Sequence, residues 1–342
     1  LMRDCAVVTV VVSAVAASGP AFAQASADSE DVAEEITVTA SPLGDVLQPT
    51  WVLDEQALFA KKSATLGETL DGELGVNSSY FGPAASRPII RGLGGSRILM
   101  LSDTIASLDV ADVSADHAVT IEPLLAQSIE IIRGPSVLLY GSSAAGGVVN
   151  VVDNRIPSTY PDAPISGGFE ARANSAAEEL AFVGRLEGGS GPFAWHLSGF
   201  DRETENLDIE GFATADLAQR PDEELAGTLP NSFSRSDGFN VGVSWVGERG
   251  YLGVAYADLA NTYGLPGPEE EEGEEEEEGE ALFEGPFLDM EQTRVDIRGQ
   301  YAFDNGWLDS VSAAFGSNDY SHAEVEPSGE IATLFDNDAW QL

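Results

Sequence analysis

Ten of the twelve residues from 269 to 280 are glutamates: Glu269, Glu270, Glu271, Glu272, Glu274, Glu275, Glu276, Glu277, Glu278 and Glu280. Carboxylates at that density repel one another, raise one another's pKa and gather counterions. Two readings stand side by side. The run is a solvated, self-repelling segment, or it concentrates cations by focusing a field at the mouth of a cavity. It supplies about a quarter of the net charge of −42, so the remainder of the chain is acidic as well. That balance argues against nucleic acid as a partner, because phosphates would be repelled. Nitrogen ligands are scarce, with only His117, His196 and His322 in 342 residues. Imidazole suits zinc and copper, whereas carboxylates alone suit calcium, magnesium or manganese, although zinc also accepts Asp and Glu. Asp116 beside His117 offers an oxygen and a nitrogen ligand in adjacent positions; His196 falls inside the strand-like FAWHLSGF. The one cysteine, Cys5, lies in the N-terminal segment, which leaves no thiol chemistry beyond it. No serine sits in a nucleophile elbow and no histidine has a base–orienter pairing, so the sequence points away from an enzyme.

The elements that must carry these residues change along the chain. Residues 1–23 read as a signal peptide: Arg3, the apolar AVVTVVVSAVAAS, then Ala21-Phe22-Ala23 as a small-x-small cleavage site. Residues 24–42 read as a polar, flexible segment that holds EEITVTA. Its Glu35, Ile36, Thr37, Val38, Thr39 and Ala40 form a short β-prone run stopped by Pro42. It is either the first strand of the next domain or a strand that docks on the sheet edge of a partner.

Residues 43–157 read as an α/β domain. Leu66, Leu70 and Leu74 recur at helical spacing after Ser63, RPIIRGLGGSRILMLSD gives two short strands around a glycine turn, and strands follow at 128–133 and 148–153. RGLGG lacks the Lys-Ser/Thr of a phosphate loop and carries little weight as one. From Gly167 the texture shifts to segments of period two. Val241, Val243 and Trp245 share one face, as do Leu252, Val254 and Tyr256; Val295 and Ile297 alternate with Asp296 and Arg298. That is a half-buried strand, either in a soluble sandwich or in a barrel with one face on lipid and one on a wet lumen. Strands are expected at 168–175, 180–188, 193–202, 238–246, 251–260, 291–302 and 308–320, with short turns alternating with long connections at 203–237, 261–290 and 321–334, except that the first connection, at 176–179, is short where a long one would sit. Short turns on one side and long loops on the other favour the outer-membrane barrel and put the glutamate run at the tip of an external loop.

Together these stretches resemble a TonB-dependent outer-membrane receptor. EEITVTA resembles the TonB box, while RPIIRGLGGSRILMLSD and SIEIIRGPSVLLYGSSAAGGVVNVV resemble the plug signature. The resemblance implies an α/β plug domain over 43–157, then the first strands of an antiparallel transmembrane β-barrel over 165–342. It further implies a barrel incomplete in this chain, an outer-membrane location in a Gram-negative bacterium with the acidic loop extracellular, and TonB as the energy-transducing partner. A barrel of about 22 strands needs more chain than this, so either an N-terminal fragment of a longer receptor or a truncated gene product is expected. SYFGPAASRPIIRGLGG, DVSADHAV, YGLPG, EQTRVDIRG and NDYSHAEVE are similar to the zinc receptors of that family. That likeness implies Asp116, His117, His322 and Glu324 as metal contacts, with no tightly bound cofactor and a divalent cation such as zinc as cargo. The departure is a biased loop with no histidine, which leaves specificity to Asp116, His117 and His322. A receptor for an iron-siderophore or other chelate is the nearest alternative, and a calcium-binding or adhesive surface module without transport is the more distant one.

Overall fold

The computed structural model describes residues 7–13, 51–215, 220, 226–266, 285–306 and 308–342. The candidate box at 35–40 and the glutamate run at 269–280 lie outside the described residues. Within the expected leader, the β-branched run Val7–Ser13 forms strand β1.

A small domain follows, with β2 (Trp51–Leu53), helices α1 (Glu55–Phe59) and α2 (Leu66–Leu70), and the hairpin β3 (Val76–Ser78) and β4 (Pro88–Ile90). Then come β5 (Ile98–Ser102), β6 (Ile105–Ala106), β7 (Ser128–Ile132) and β8 (Gly147–Val152). Its sheet runs β2-β7-β8-β5-β6, with β5 and β8 parallel and the other pairs antiparallel. Each helix starts on a side-chain cap: Asp54 accepts from the Ala57 amide and Thr65 from the Glu68 amide. The core joins Leu58, Leu66, Leu70, Ile90, Ile129, Ile131, Val149 and Val151. The helix expected through Leu74 stops four residues short. Asp71 is extended, Gly72 and Gly75 take positive φ, and Leu74 is turned out to solvent. Leucine spacing alone could not show this, because the breaker is the glycine pair.

The larger sheet contains β9 (Ile165–Asn174), β10 (Glu179–Ser190), β11 (Phe193–Thr204), β12 (Ser234–Gly247), β13 (Gly250–Gly264), β14 (Phe287–Asn305), β15 (Leu308–Val325), β16 (Ile331–Asp336) and β17 (Ala339–Gln341). Every neighbouring pair from β9 to β16 is antiparallel, β17 pairs with β15, and β1 adds to the free edge of β9. Strands β10 to β15 have 12 to 19 residues, more than the roughly 9–11 that a tilted strand needs to cross a bilayer.

The faces of these strands are inverted relative to a soluble protein. Val241, Val243 and Trp245 on β12, Leu252 and Val254 on β13, and Val295, Ile297 and Tyr301 on β14 are exposed. Between them, Ser236, Asn240, Ser244, Gln292, Arg294 and Asp296 are buried against the small domain. A solvated sandwich would bury the apolar face, so the soluble alternative fails and the barrel reading holds. The small domain sits on the concave polar face. Its exit strand passes so close to β12 that a Cβ on Gly242 would meet the Arg155 carbonyl oxygen at 1.8 Å.

The turns that join β10 to β11, β12 to β13 and β14 to β15 lie at one end of the sheet. Strands β11 and β12, like β13 and β14, follow one another at the other end, as expected. The third long connection, expected at 321–334, is absent. Strand β15 continues to Val325, reverses through Gly329 with its amide on the Glu326 carbonyl, and returns as β16. Period two persists through residue 325, and the turn residues Pro327, Ser328 and Gly329 come only afterwards. Among the described residues, no helix is long and apolar enough to cross a membrane, which says nothing of a barrel.

Candidate metal centre between the small domain and the barrel

His322 and Glu324, two apart on β15, lie on its lumen face with Asn318 and Tyr320. Neither is in a loop, although both fall within the long connection expected at 321–334. The continued strand makes the difference. Facing them is the segment between β6 and β7 that carries Asp116 and His117. One ligand atom each from Asp116, His117 and Glu324 lies within 4.8 Å of the others. The His117 ring is 4.4 Å from that of His322, centroid to centroid, and 5.2 Å from that of Phe335. His322 stands one step behind the other three, through this ring contact rather than within their 4.8 Å set.

The hydrogen bonds constrain the tautomers. His117 Nδ1 lies 3.2 Å from the Val110 carbonyl oxygen, so it must carry the proton to make that bond. Its Nε2 points at Glu324 Oε1, also at 3.2 Å. A neutral imidazole with Nδ1 protonated would set a lone pair against a carboxylate. The pair therefore needs a positive centre between them, a proton on Nε2 or a metal ion. His322 Nδ1 is 2.8 Å from the Tyr320 hydroxyl, while its Nε2 is buried with no hydrogen-bond partner. His117 and His322 are buried, but Glu324 remains 31% exposed, so the cluster opens toward the end with the long connections. Two imidazoles and two carboxylates are a donor set that suits zinc and copper better than calcium.

The third histidine is different. His196 has Nδ1 on Glu187 and Nε2 on Ser198, each at 3.0 Å, which satisfies both nitrogens within the protein. The structure brings together Asp116, His117, His322 and Glu324 and leaves His196 apart.

Two residues escaped the sequence reading. Tyr263 on β13 is buried against Ala84, Ala85, Ala118, Leu288, Met290 and Tyr320. Its hydroxyl accepts from the Ala118 amide at 2.8 Å and donates to the Asp116 carbonyl at 2.9 Å. Arg155, just after β8, binds Asp153 and reaches Asp296 on β14 at 3.4 Å. Burial pushes Asp153 up, but the Arg155 guanidinium outweighs it and holds the carboxyl well below the usual range. The sequence signal for Tyr263 was parity alone, since it follows Gly253, Ala255, Ala257, Leu259 and Asn261 on one side of β13.

Residues 42–148 match the TonB-dependent receptor plug domain. Solved structures agree on the whole architecture. The ferric enterobactin receptor PfeA of Pseudomonas aeruginosa superposes with a TM-score of 0.59 at 16% identity, over 84% of this chain and 44% of that one. A copper transporter, OprC, gives 0.59 at 15%, over 80% and 38%. The hemophore receptor HasR of Serratia marcescens gives 0.61 at 14%, over 84% and 39%. At these identities the likeness concerns the fold, a plug followed by antiparallel strands of a barrel. The chain spans less than half the length of these structures.

Proposed function

We propose that this chain serves energised import of a divalent metal ion, with zinc the best fit, through a TonB-dependent outer-membrane receptor. The observation that carries the reading is the meeting of His117 on the plug with Glu324 on the barrel and Asp116 beside them, a nitrogen and two carboxylates whose ligand atoms lie within 4.8 Å of one another. Asp116 adds an oxygen, and the unpartnered Nε2 of His322 adds a nitrogen donor close behind. Cargo held there would bridge plug and barrel, so its binding energy would differ between a seated and a displaced plug, which is what a signal requires. Residues 35–40 would then pair with the edge of a periplasmic partner's sheet, TonB in this reading. The glutamate run would raise the local concentration of cations at the outer mouth.

The test is equilibrium binding of zinc to the purified protein in detergent, beside zinc uptake by cells. His117→Ala lowers zinc affinity by at least about tenfold, as expected for loss of a metal ligand. Deletion of residues 35–40 abolishes uptake and leaves surface binding intact. Equal zinc affinity in the His117→Ala protein would overturn the cargo assignment. Tight binding of a ferric chelate with no effect from the bare ion would favour the chelate receptors that the fold also resembles. Uptake that survives the 35–40 deletion would favour an ion-binding surface module.

A further inference from the structure

Resting on that reading of the site, we infer that Tyr263 is its positioning residue, holding the plug half of the ligand set in register with the barrel half. His117 is flanked on both sides by a bond to one barrel hydroxyl. The Tyr263 oxygen receives the amide N–H of Ala118 and donates its own proton to the carbonyl of Asp116. The phenol thus spans residue 117 as a staple, using both its donor and its acceptor. The peptide groups on either side of His117 are fixed to β13, and the imidazole is fixed relative to β15 and Glu324.

The surroundings leave the hydroxyl little choice. Tyr263 is completely buried, and its ring is packed with Leu288, Met290, Tyr320 and the small side chains Ala84, Ala85 and Ala118. Alanine at 84, 85 and 118 gives the ring room to reach the plug backbone. No side chain competes for the hydroxyl in the hydrogen bonds it makes. The second tether on the imidazole is the Val110 carbonyl on Nδ1. With backbone and ring both held, Nε2 has one direction in which to point. The barrel ligands Glu324 and His322 belong to β15, whereas Tyr263 belongs to β13. The staple therefore fixes the plug to the same sheet that carries the other ligands, two strands away.

Tyr263→Phe is the test, because it removes one oxygen and keeps the ring. Cobalt(II) replaces zinc as the probe, since its visible absorption reports ligand number and type. The purified protein in detergent is titrated as wild type, His117→Ala and Tyr263→Phe. The expected result is a cobalt affinity about tenfold weaker in Tyr263→Phe, with the absorption band moved toward that of His117→Ala and a melting transition that stays cooperative and falls only modestly. A Tyr263→Phe protein with the wild-type band and affinity, beside an altered His117→Ala protein, would overturn the inference and leave the cargo site standing. A His117→Ala protein identical to wild type would instead remove the cargo site itself. If Tyr263→Phe melts early, Tyr263→Trp and Ala118→Pro separate packing from bonding: proline deletes the amide that the hydroxyl receives. A wild-type cobalt spectrum in a folded Ala118→Pro protein would also count against the staple.

Discussion

Inside the plug, Leu58, Leu70, Ile129, Ile131 and Val149 meet with no solvent exposure and no polar atom among their side chains. Where the plug meets the barrel, positions equally hidden are filled by Arg155, Asp153, Asp103, Asp296, Arg294, Glu122 and Arg202. Arg202 grips both oxygens of Glu122 at 3.0 and 2.9 Å, and Arg298 donates to the Ile156 carbonyl at 3.1 Å. The two regions are packed for different fates. An apolar core exposed to water loses its stabilisation outright. A polar seam opened to water exchanges protein partners for solvent ones, at a net cost of about 1.5–3 kcal/mol for a bond to a charged group. The plug is thus built to stay folded, and its seam is built so that water can replace it.

Substitutions can break that contrast. The largest effect is expected from Gly242→Val, because the Cβ would fall 1.8 Å from the Arg155 carbonyl oxygen and backbone cannot step aside. The cost should exceed the about 1–3 kcal/mol of ordinary overpacking. Hydrogen exchange of amides 153–156 should rise sharply while the core strands β7 and β8 remain protected.

Next is Arg202→Met, which strands a buried carboxylate at a cost of about 3–5 kcal/mol. Burial already pushes the Glu122 carboxyl above its usual range even with Arg202 beside it, and removing the guanidinium pushes it further. The seated plug then binds that proton more tightly than the open one. Stability of the variant should fall as pH rises through the carboxylate range and return on acidification. The double change Arg202→Met with Glu122→Leu should recover most of the loss and remove the pH dependence. Chemical denaturation between pH 5 and 8 checks both.

The smallest effect is Ile131→Val in the plug core, about 0.5–1.5 kcal/mol, with no dependence on pH. A pH-dependent loss there would erase the distinction between core and seam.

The strands were readable because period two is a local property: Val241, Val243 and Trp245 announce a face without reference to anything distant. The sequence leaves open which face is wet, and turn lengths supplied that. Only the buried Asn240 and Asp296 settle it. Asp116 and His117 were visible as neighbours, and His322 and Glu324 as a pair two apart. Their meeting across 207 residues depends on the plug filling the lumen, a relation that resides in the tertiary structure. Tyr263 was missed for the same reason, since its partners are backbone groups of another domain. Arg155 was overlooked because an arginine after a strand is ordinary until an inward aspartate, Asp296, is found opposite. The over-long helix to Leu74 and the over-long loop at 321–334 are opposite misses. The helix was carried past its breakers Gly72 and Gly75, whereas strand β15 was ended at 320, short of the turn residues Pro327, Ser328 and Gly329.

The central claim is that one cation is shared between His117 of the plug and Glu324 of the barrel. A double-mutant cycle tests it most directly, with zinc dissociation constants for wild type, His117→Ala, Glu324→Gln and the combined protein. If the two side chains hold the same ion, the second substitution adds little to the loss caused by the first. Independent, fully additive losses, or no loss from either, would contradict a site split across the seam.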